Sequence, residues 1–410
     1  MKICIAIISI LLTCGILSAQ NANNLPADTT KKKSNGFLLT VNGFVNFEKT
    51  SAENILHGSI SPVVVWKISE KFFFEGEEEM SVDKNRIKFD VMYATLHWRL
   101  NDYVRFGAGK FLSPNGTYQE RLHPAWINKF PEAPLGFSHD GILIVPMDEV
   151  GVEARGGVPV GSSKINYVVY ASNGPELSTA SGGMNMGSLV FGNYLDNNWD
   201  KAIGGRIGFL PLSNSSLEIG YSRQNARVGY DDDPLYENAR VVMHGFDLSY
   251  VKAVSPIKSL LDVKGQYNHV MLDRYYDGTS SSSSSSHTSG TSDSYEISKA
   301  YYVQVALRPA LVQNTFLQKL ELAGRFSGVS LPPGMSDASS KHLATVTTEE
   351  PSRQNINQWA VGLNYWFSWR TVLKLAWQQT EDAKAKSENI FLVQIAIAHP
   401  KINFIKLKQQ

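Results

Sequence analysis

The feature that most constrains this chain is a rhythm of gaps. Segments of about ten residues that read as β-strands are joined in turn by tight turns and by long loops. Strands are expected near 38–47, 58–67, 70–79, 89–99, 103–111, 148–157, 163–172, 201–210, 215–225, 239–252, 258–270, 298–308, 317–328, 354–366, 370–380 and 388–398. After even-numbered segments come short breaks such as Ser69, 158–162, 211–214, 253–257 and 367–369. After odd-numbered ones come 48–57, 80–88, 112–147, 173–200, 226–238, 271–297, 329–353 and 381–387. A sheet connected this way has two unlike ends, and an even number of antiparallel strands can close on itself. The expected fold class is all-β: a transmembrane antiparallel β-barrel of 16 strands, with short periplasmic turns and long extracellular loops.

Period-two alternation agrees. Tyr301, Val303, Val305 and Leu307 share one face, against Tyr302, Gln304, Ala306 and Arg308. Leu320, Leu322, Gly324 and Phe326 oppose Glu321, Ala323, Arg325 and Ser327, and Ile203, Ile207 and Phe209 oppose Ala202, Gly204 and Arg206. The apolar faces are expected to meet lipid and the polar faces to line an interior, because a charge at the bilayer midplane costs about 2–4 kcal/mol. Trp66, Trp98, Tyr103, Trp359, Tyr365, Phe367 and Trp369 fall near strand ends, as interfacial girdles require. One segment is ambiguous: Phe89, Val91 and Tyr93 compete with Met92, Ala94, Leu96 and Trp98 for the lipid face.

Residues 1–19 read as a secretory signal, with Lys2, an apolar run from Ile3 to Leu17 and small Ser18-Ala19. Both cysteines, Cys4 and Cys14, lie inside it, which excludes a disulfide framework and a thiolate metal site from the remainder. Without Lys2 the net charge of +1 falls to about zero, so there is no basic footprint for nucleic acid. The expected organisation is a signal at 1–19, a flexible periplasmic lead at 20–36, a barrel at 37–399 and a tail at 400–410. The destination is the outer membrane of a Gram-negative bacterium, among outer-membrane lipid and lipopolysaccharide. No cofactor or metal is expected.

The third long gap, 112–147, carries Pro114, Pro124, Pro131, Pro134 and Pro146 with Trp126, Phe130 and Phe137. It is too apolar to stand in water, and is expected to fold inward and narrow the lumen. Its tentative constriction residues are Arg121, His123, Trp126, Lys129 and Glu132. Here the wording becomes familiar. The run Gly109-Lys-Phe-Leu-Ser-Pro-Asn-Gly116, with Glu149-Val-Gly-Val-Glu-Ala-Arg-Gly156 and Tyr167-Val-Val-Tyr-Ala-Ser-Asn-Gly-Pro175, resembles bacterial porins of the phosphate-selective porin O and P type. The likeness is strongest to the porin-like members found in Bacteroidetes, and it covers residues 100–175. It implies a 16-stranded, trimeric outer-membrane pore for small hydrophilic solutes. The chain departs from that pattern at Asn115, where the family carries Phe. It also places His399, not Phe, at the close of the last strand.

Strand parity nominates the charges lining the lumen. The positive ones are Arg105, Arg155, Arg206, Lys264, Arg308, Arg325 and Lys374. The negative ones are Glu75, Glu77, Glu79, Glu153, Glu218, Asp247, Asp262 and Glu321. The totals nearly cancel, so phosphate selectivity does not follow from the resemblance. Lys264, Arg308, Arg325 and Lys374 lie on the eleventh to fifteenth strands and Glu75, Glu77 and Glu79 on the third, an arrangement that would orient dipolar solutes. The histidines are scattered, and neither Gly-x-Ser-x-Gly nor His-Glu-x-x-His occurs. The leading reading is therefore a porin and not an enzyme. A barrel enzyme and a non-conducting structural or adhesive barrel stand as alternatives.

Overall fold

The computed structural model describes residues 36–83, 86–138, 141–178, 189–192, 194–232, 237–273, 295–332, 354–382, 387–399 and 402–403. The signal at 1–19, nearly all of the lead at 20–36, the serine run at 280–286 and most of the tail at 400–410 lie outside those residues.

The strands are β1 (Gly36–Lys49), β2 (Asn54–Lys67), β3 (Phe72–Asp83), β4 (Arg86–Arg99), β5 (Val104–Leu112), β6 (Asp148–Val160), β7 (Ser163–Ser172) and β8 (Ala202–Leu210). They continue as β9 (Leu217–Arg227), β10 (Arg240–Val254), β11 (Ser259–Asp273), β12 (Tyr295–Arg308), β13 (Leu320–Leu331), β14 (Gln354–Ser368), β15 (Thr371–Asp382) and β16 (Glu388–Ala398). Each pairs antiparallel with its sequence neighbour, and β1 pairs with β16 from Asn42 opposite Ala398 to Lys49 opposite Phe391. The sheet is a closed 16-strand barrel. Closure leaves no unpaired edge, which is what hydrocarbon demands of the backbone.

The seam runs past β16. His399 donates its N–H to the Val41 carbonyl at 2.7 Å, and its own carbonyl accepts from Thr40 Oγ1 at 2.5 Å and from Arg370 Nη1 at 3.1 Å. Ile402 and Asn403 then pair with Leu39 and Leu38. Two residues of the expected tail thus belong to the wall.

Two expected long loops are absent as loops. β1 and β2 pair out to Lys49 opposite Asn54, and Thr50 closes the four-residue turn by accepting the N–H groups of Ala52 and Glu53 on its Oγ1. β3 and β4 pair out to Asp83 opposite Arg86. The polar residues of 48–57 and 80–88 read as loop because they do not alternate. Above the lipid, however, both faces of a hairpin can be wet while its ladder continues.

The ambiguity in β4 also resolves. Glu77 pairs with Tyr93 and Glu78 with Val91, so Met92 is an extra residue, a β-bulge. On the loop side of it Phe89 and Val91 face out; on the turn side Leu96 and Trp98 do, while Met92, Thr95 and His97 are buried. Each competing set reaches lipid in part, with Met92 and Tyr93 turned to the interior, because the bulge shifts the parity between them.

The outer surface carries the apolar belt: Ile203, Ile207, Val303, Leu322, Val361 and Phe391 are each at least half exposed. Register places Tyr221, Phe246, Tyr267 and Tyr301 side by side across β9–β12, with Phe326 opposite Trp359 beyond them. Six residues along β14 lies Tyr365, packed on Phe316 and Phe367. At ~3.3 Å per residue the two aromatic bands lie about 20 Å apart along the tilted strand.

Candidate functional site: the lumen and its inward loop

Residues 113–147 leave β5 and enter the barrel. Their first anchor is polar. Gln266 of β11 accepts the N–H groups of Thr117 and Tyr118 on Oε1, both at 3.0 Å, and donates Nε2 to the Asn115 carbonyl at 2.9 Å. Asn115 in turn donates to Gln224 of β9 at 2.8 Å. Gly116 sits at φ +84°, and a Cβ there would lie 2.0 Å from the Gln266 amide, so only glycine fits. The Asn115 that departs from the family pattern is thus a buried clasp.

The next turn, Tyr118–Leu122, is held from two sides by neighbouring residues of opposite charge. Glu120 accepts from Arg155 of β6 at 2.8 Å, and Arg121 donates to Glu218 of β9 at 2.8 Å. Arg155 also pairs with Glu153. Glu218 is shared with Arg206 of β8 at 2.9 Å, and Arg206 is further bound by Asp247 of β10 at 2.7 Å and by Asn166 at 3.1 Å. Tyr118 then packs on Phe137 and Tyr302, with ring centroids 5.5 and 5.7 Å away.

Residues 129–133 form no ladder, so their carbonyls need partners from elsewhere. The wall supplies one for each in succession. Asn364 donates to the Lys129 carbonyl at 3.0 Å, Lys374 to that of Phe130 at 3.3 Å and Gln394 to that of Pro131 at 3.1 Å. Arg325 donates to the Glu132 carbonyl at 2.8 Å and to that of Ala133 at 3.3 Å. Lys374 also reaches the Ala125 carbonyl and Gln394 Oε1. Arg325 lies 4.6 Å over the Phe130 ring. Lys129 answers from the loop, pairing with Glu321 at 2.8 Å and Asp262 at 3.6 Å, while Lys264 pairs with Asp262.

The structure therefore divides the charges that parity assigned to one interior. Arg325 and Lys374 are almost completely buried under the loop, as is Glu321 beside Asn364 and Lys129. Arg308 sits by the turns, donating to the Gln318 carbonyl at 2.7 Å over the Trp366 ring. The basic wall does not face the acidic one across open water, because the loop lies between them. Sequence reasoning passed over the neutral amides Gln224, Gln266, Gln358, Asn364 and Gln394. Their signal was present: each occupies an inward position beside an already nominated charge or aromatic.

Open space remains along β1–β7. A cavity of about 860 Å³ at the turn end is lined by Thr40, Glu75, His97, Arg105 and Arg155, among others. Glu75 bonds His97 at 2.9 Å, and Arg105 lies 5.8 Å over the Phe73 ring. A second cavity of about 230 Å³ lies nearer the loops, bounded by Glu48, Glu79, Met92, Tyr118, Gln119 and Phe137, among others. The two share Asn42 and Glu77 on the wall and His123, Pro124 and Trp126 on the loop. That neck is where the inward segment approaches the open wall. His123 is fixed there by Nδ1, 2.5 Å from the Gln119 carbonyl, and Trp126 meets Trp369 edge to face at 6.4 Å. The residue of Glu132 that grips Arg325 is its carbonyl, while its side chain borders the upper cavity.

Beyond the end of β7, Glu176–Leu177 pairs antiparallel with Leu189–Val190; Leu177 is buried in the cluster of Tyr118, Phe137 and Tyr302 and donates to the Val228 carbonyl at 2.9 Å. The Tyr230 hydroxyl donates to Glu176 at 2.8 Å. Partial burial, then that carboxylate, pushes its pKa up to about 12.

A closed barrel with an apolar outer belt, a polar interior and an inward loop has the architecture of the β-barrels of the Gram-negative outer membrane. Solved structures of the same fold agree. OmpF of Salmonella typhi, in complex with daunomycin, matches with TM-score 0.52 at 9% identity, over 89% of this chain and 99% of that one. The anion-selective porin of Comamonas acidovorans matches with TM-score 0.52 at 11% identity, over 89% and 99%. The channel DcaP of Acinetobacter baumannii matches with TM-score 0.50 at 12% identity, over 91% and 100%. No family model and no curated protein sequence matches this chain.

Proposed function

We propose that this protein is a porin, a passive channel for small hydrophilic solutes. The observation that carries the reading is the pair of cavities meeting at the neck of Asn42, Glu77, His123, Pro124 and Trp126, beside a loop fastened to the opposite wall. A plug would need the loop to fill the barrel from wall to wall. Stepwise conductance of the purified protein in planar bilayers is the expected result, and a folded barrel that stays electrically silent overturns it.

The resemblance to phosphate-selective porins covers the loop and its flanking strands. What it implies for this chain is a trimeric pore for small hydrophilic solutes. Phosphate preference is not part of the proposal, because Arg325 and Lys374 are occupied by loop carbonyls. Assembly as a homotrimer is. Outside β3–β7, a shallow groove floored by Gly107, Ala108 and Ala171 runs beside the ridge of Phe72, Trp98 and Phe106, a surface suited to close protein contact. Native mass spectrometry from detergent is expected to give three chains; a monomer refutes the assembly and leaves the channel standing.

A further inference from the structure

We infer that the upper cavity is the selectivity site of the channel and that it favours small organic cations, ammonium groups carrying a compact apolar body. The inference deepens the porin reading and rests on it.

Three observations converge. The first is charge. Glu48, Glu77, Glu79 and Glu132 line this cavity, and among the described residues no lysine or arginine does. Arg325 backs Glu132 from behind the loop, so the argument stands on Glu77 and Glu79. Glu77 is 7% exposed and stands opposite the neutral Tyr93 across the β3–β4 ladder. Neither it nor Glu79 belongs to an ion pair among the described residues. The lower cavity differs: Arg99, Arg105, Arg121, Arg155 and Arg370 balance Glu75, Glu77, Asp102, Glu120 and Glu153 there.

The second observation is independent of the carboxylates. Gln119 is 1% exposed and borders the upper cavity. Its Nε2 donates to the Phe137 carbonyl at 3.1 Å, and its Oε1 has no hydrogen-bond partner among the described residues. A buried amide oxygen without a donor is costly, by about 1–3 kcal/mol. Gln119 Oε1, Glu77 and Glu79 are all acceptors, so the complementary ligand is a donor of protons in hydrogen bonds and carries positive charge.

The third is size and lining. About 230 Å³ is the volume of roughly eight water molecules, enough for a small amine and too little for a sugar ring with its hydration. Phe44, Tyr118, Trp126 and Phe137 give apolar and aromatic surface to the body of such a solute, and π faces attract ammonium.

The experiment uses the full chain in planar bilayers with potassium chloride gradients, and butylammonium and butyrate as probes. The wild type is expected to pass potassium over chloride with a ratio above about 3, since an acidic ring in a low-dielectric neck concentrates cations. The double variant Glu77→Gln, Glu79→Gln is expected to bring that ratio close to 1. Butylammonium added from the loop side should block potassium current at concentrations where butyrate does not. A ratio at or below 1, or equal block by the two probes, overturns the inference while leaving the porin intact. An absence of any conductance is instead a failure of the porin reading. In that case saturation-transfer NMR of butylammonium against butyrate on the detergent-solubilised wild type decides the site by itself, and equal or absent transfer rejects it. The same wild-type measurements decide if the double variant does not fold.

Discussion

The two sides of the barrel interior are built from similar residues and do different things. Along β9–β16 the inward charges are covered. Lys374, Arg325 and Glu321 lie at most 3% exposed, and each holds a loop group or a partner that holds one. Along β1–β7 the charges border open cavities, and Glu77 and Glu79 have no cationic partner among the described residues. Facing inward is thus not the same as facing solute. What separates the two cases is whether the inward loop or a buried partner needs the charge, and Arg206 of β8, buried between Asp247 and Glu218, belongs with the covered side. On the covered side a substitution should cost stability; on the open side it should change what passes.

Arg206→Met should show the largest effect. It leaves Asp247 and Glu218 without their shared cation, and breaking a buried pair from one side costs about 3–5 kcal/mol. Gly220 makes room for this arrangement, since a Cβ there would lie 2.4 Å from the Arg206 guanidinium. Urea unfolding in lipid vesicles measures the loss, and a midpoint equal to wild type would erase the distinction between the sides. Lys374→Met comes next. It orphans the Ala125 and Phe130 carbonyls, at roughly 1–3 kcal/mol for each buried acceptor left unpaired. Because those carbonyls belong to the loop, single-channel conductance should rise as well, and an unchanged conductance would show that Lys374 does not hold the loop in place. The smallest effect belongs on the open side. Arg105→Gln removes a cation that lies over the Phe73 ring beside a large cavity and forms no ion pair among the described residues. Stability should stay within about 0.5 kcal/mol of wild type while cation preference increases slightly. A large unfolding shift there would contradict the division.

The strand pattern was legible because lipid imposes period two on every strand that crosses it. All sixteen segments stand in the structure, and the lipid faces of β8, β12 and β13 are those the alternation assigns. Where lipid stops, so does the signal. Asn54–His57 extends β2, and the residues after Glu79 extend β3; Asn54, His57, Ser81 and Asp83 there resemble loop. Met92 shows a second limit, since one extra residue exchanges the faces on either side of it, and a fixed parity cannot describe both. In the lumen, parity identified inward charges but not their partners. Nothing local to Arg325 reveals that residues 132 and 133 will arrive beside it with exposed carbonyls. That information is long-range, and it sits in the prolines of the loop. Pro131 and Pro134 contribute no N–H group of their own and deny the segment a regular ladder.

The grip on residues 129–133 falls on backbone oxygen atoms, which every amino acid presents alike. Side chains at positions 132 and 133, held through their carbonyls, can therefore be exchanged over evolutionary time without loosening that grip. The barrel behaves as a socket for an interchangeable liner, and a lineage could retune its diet by rewriting a few loop positions while the surrounding cylinder stays as it is.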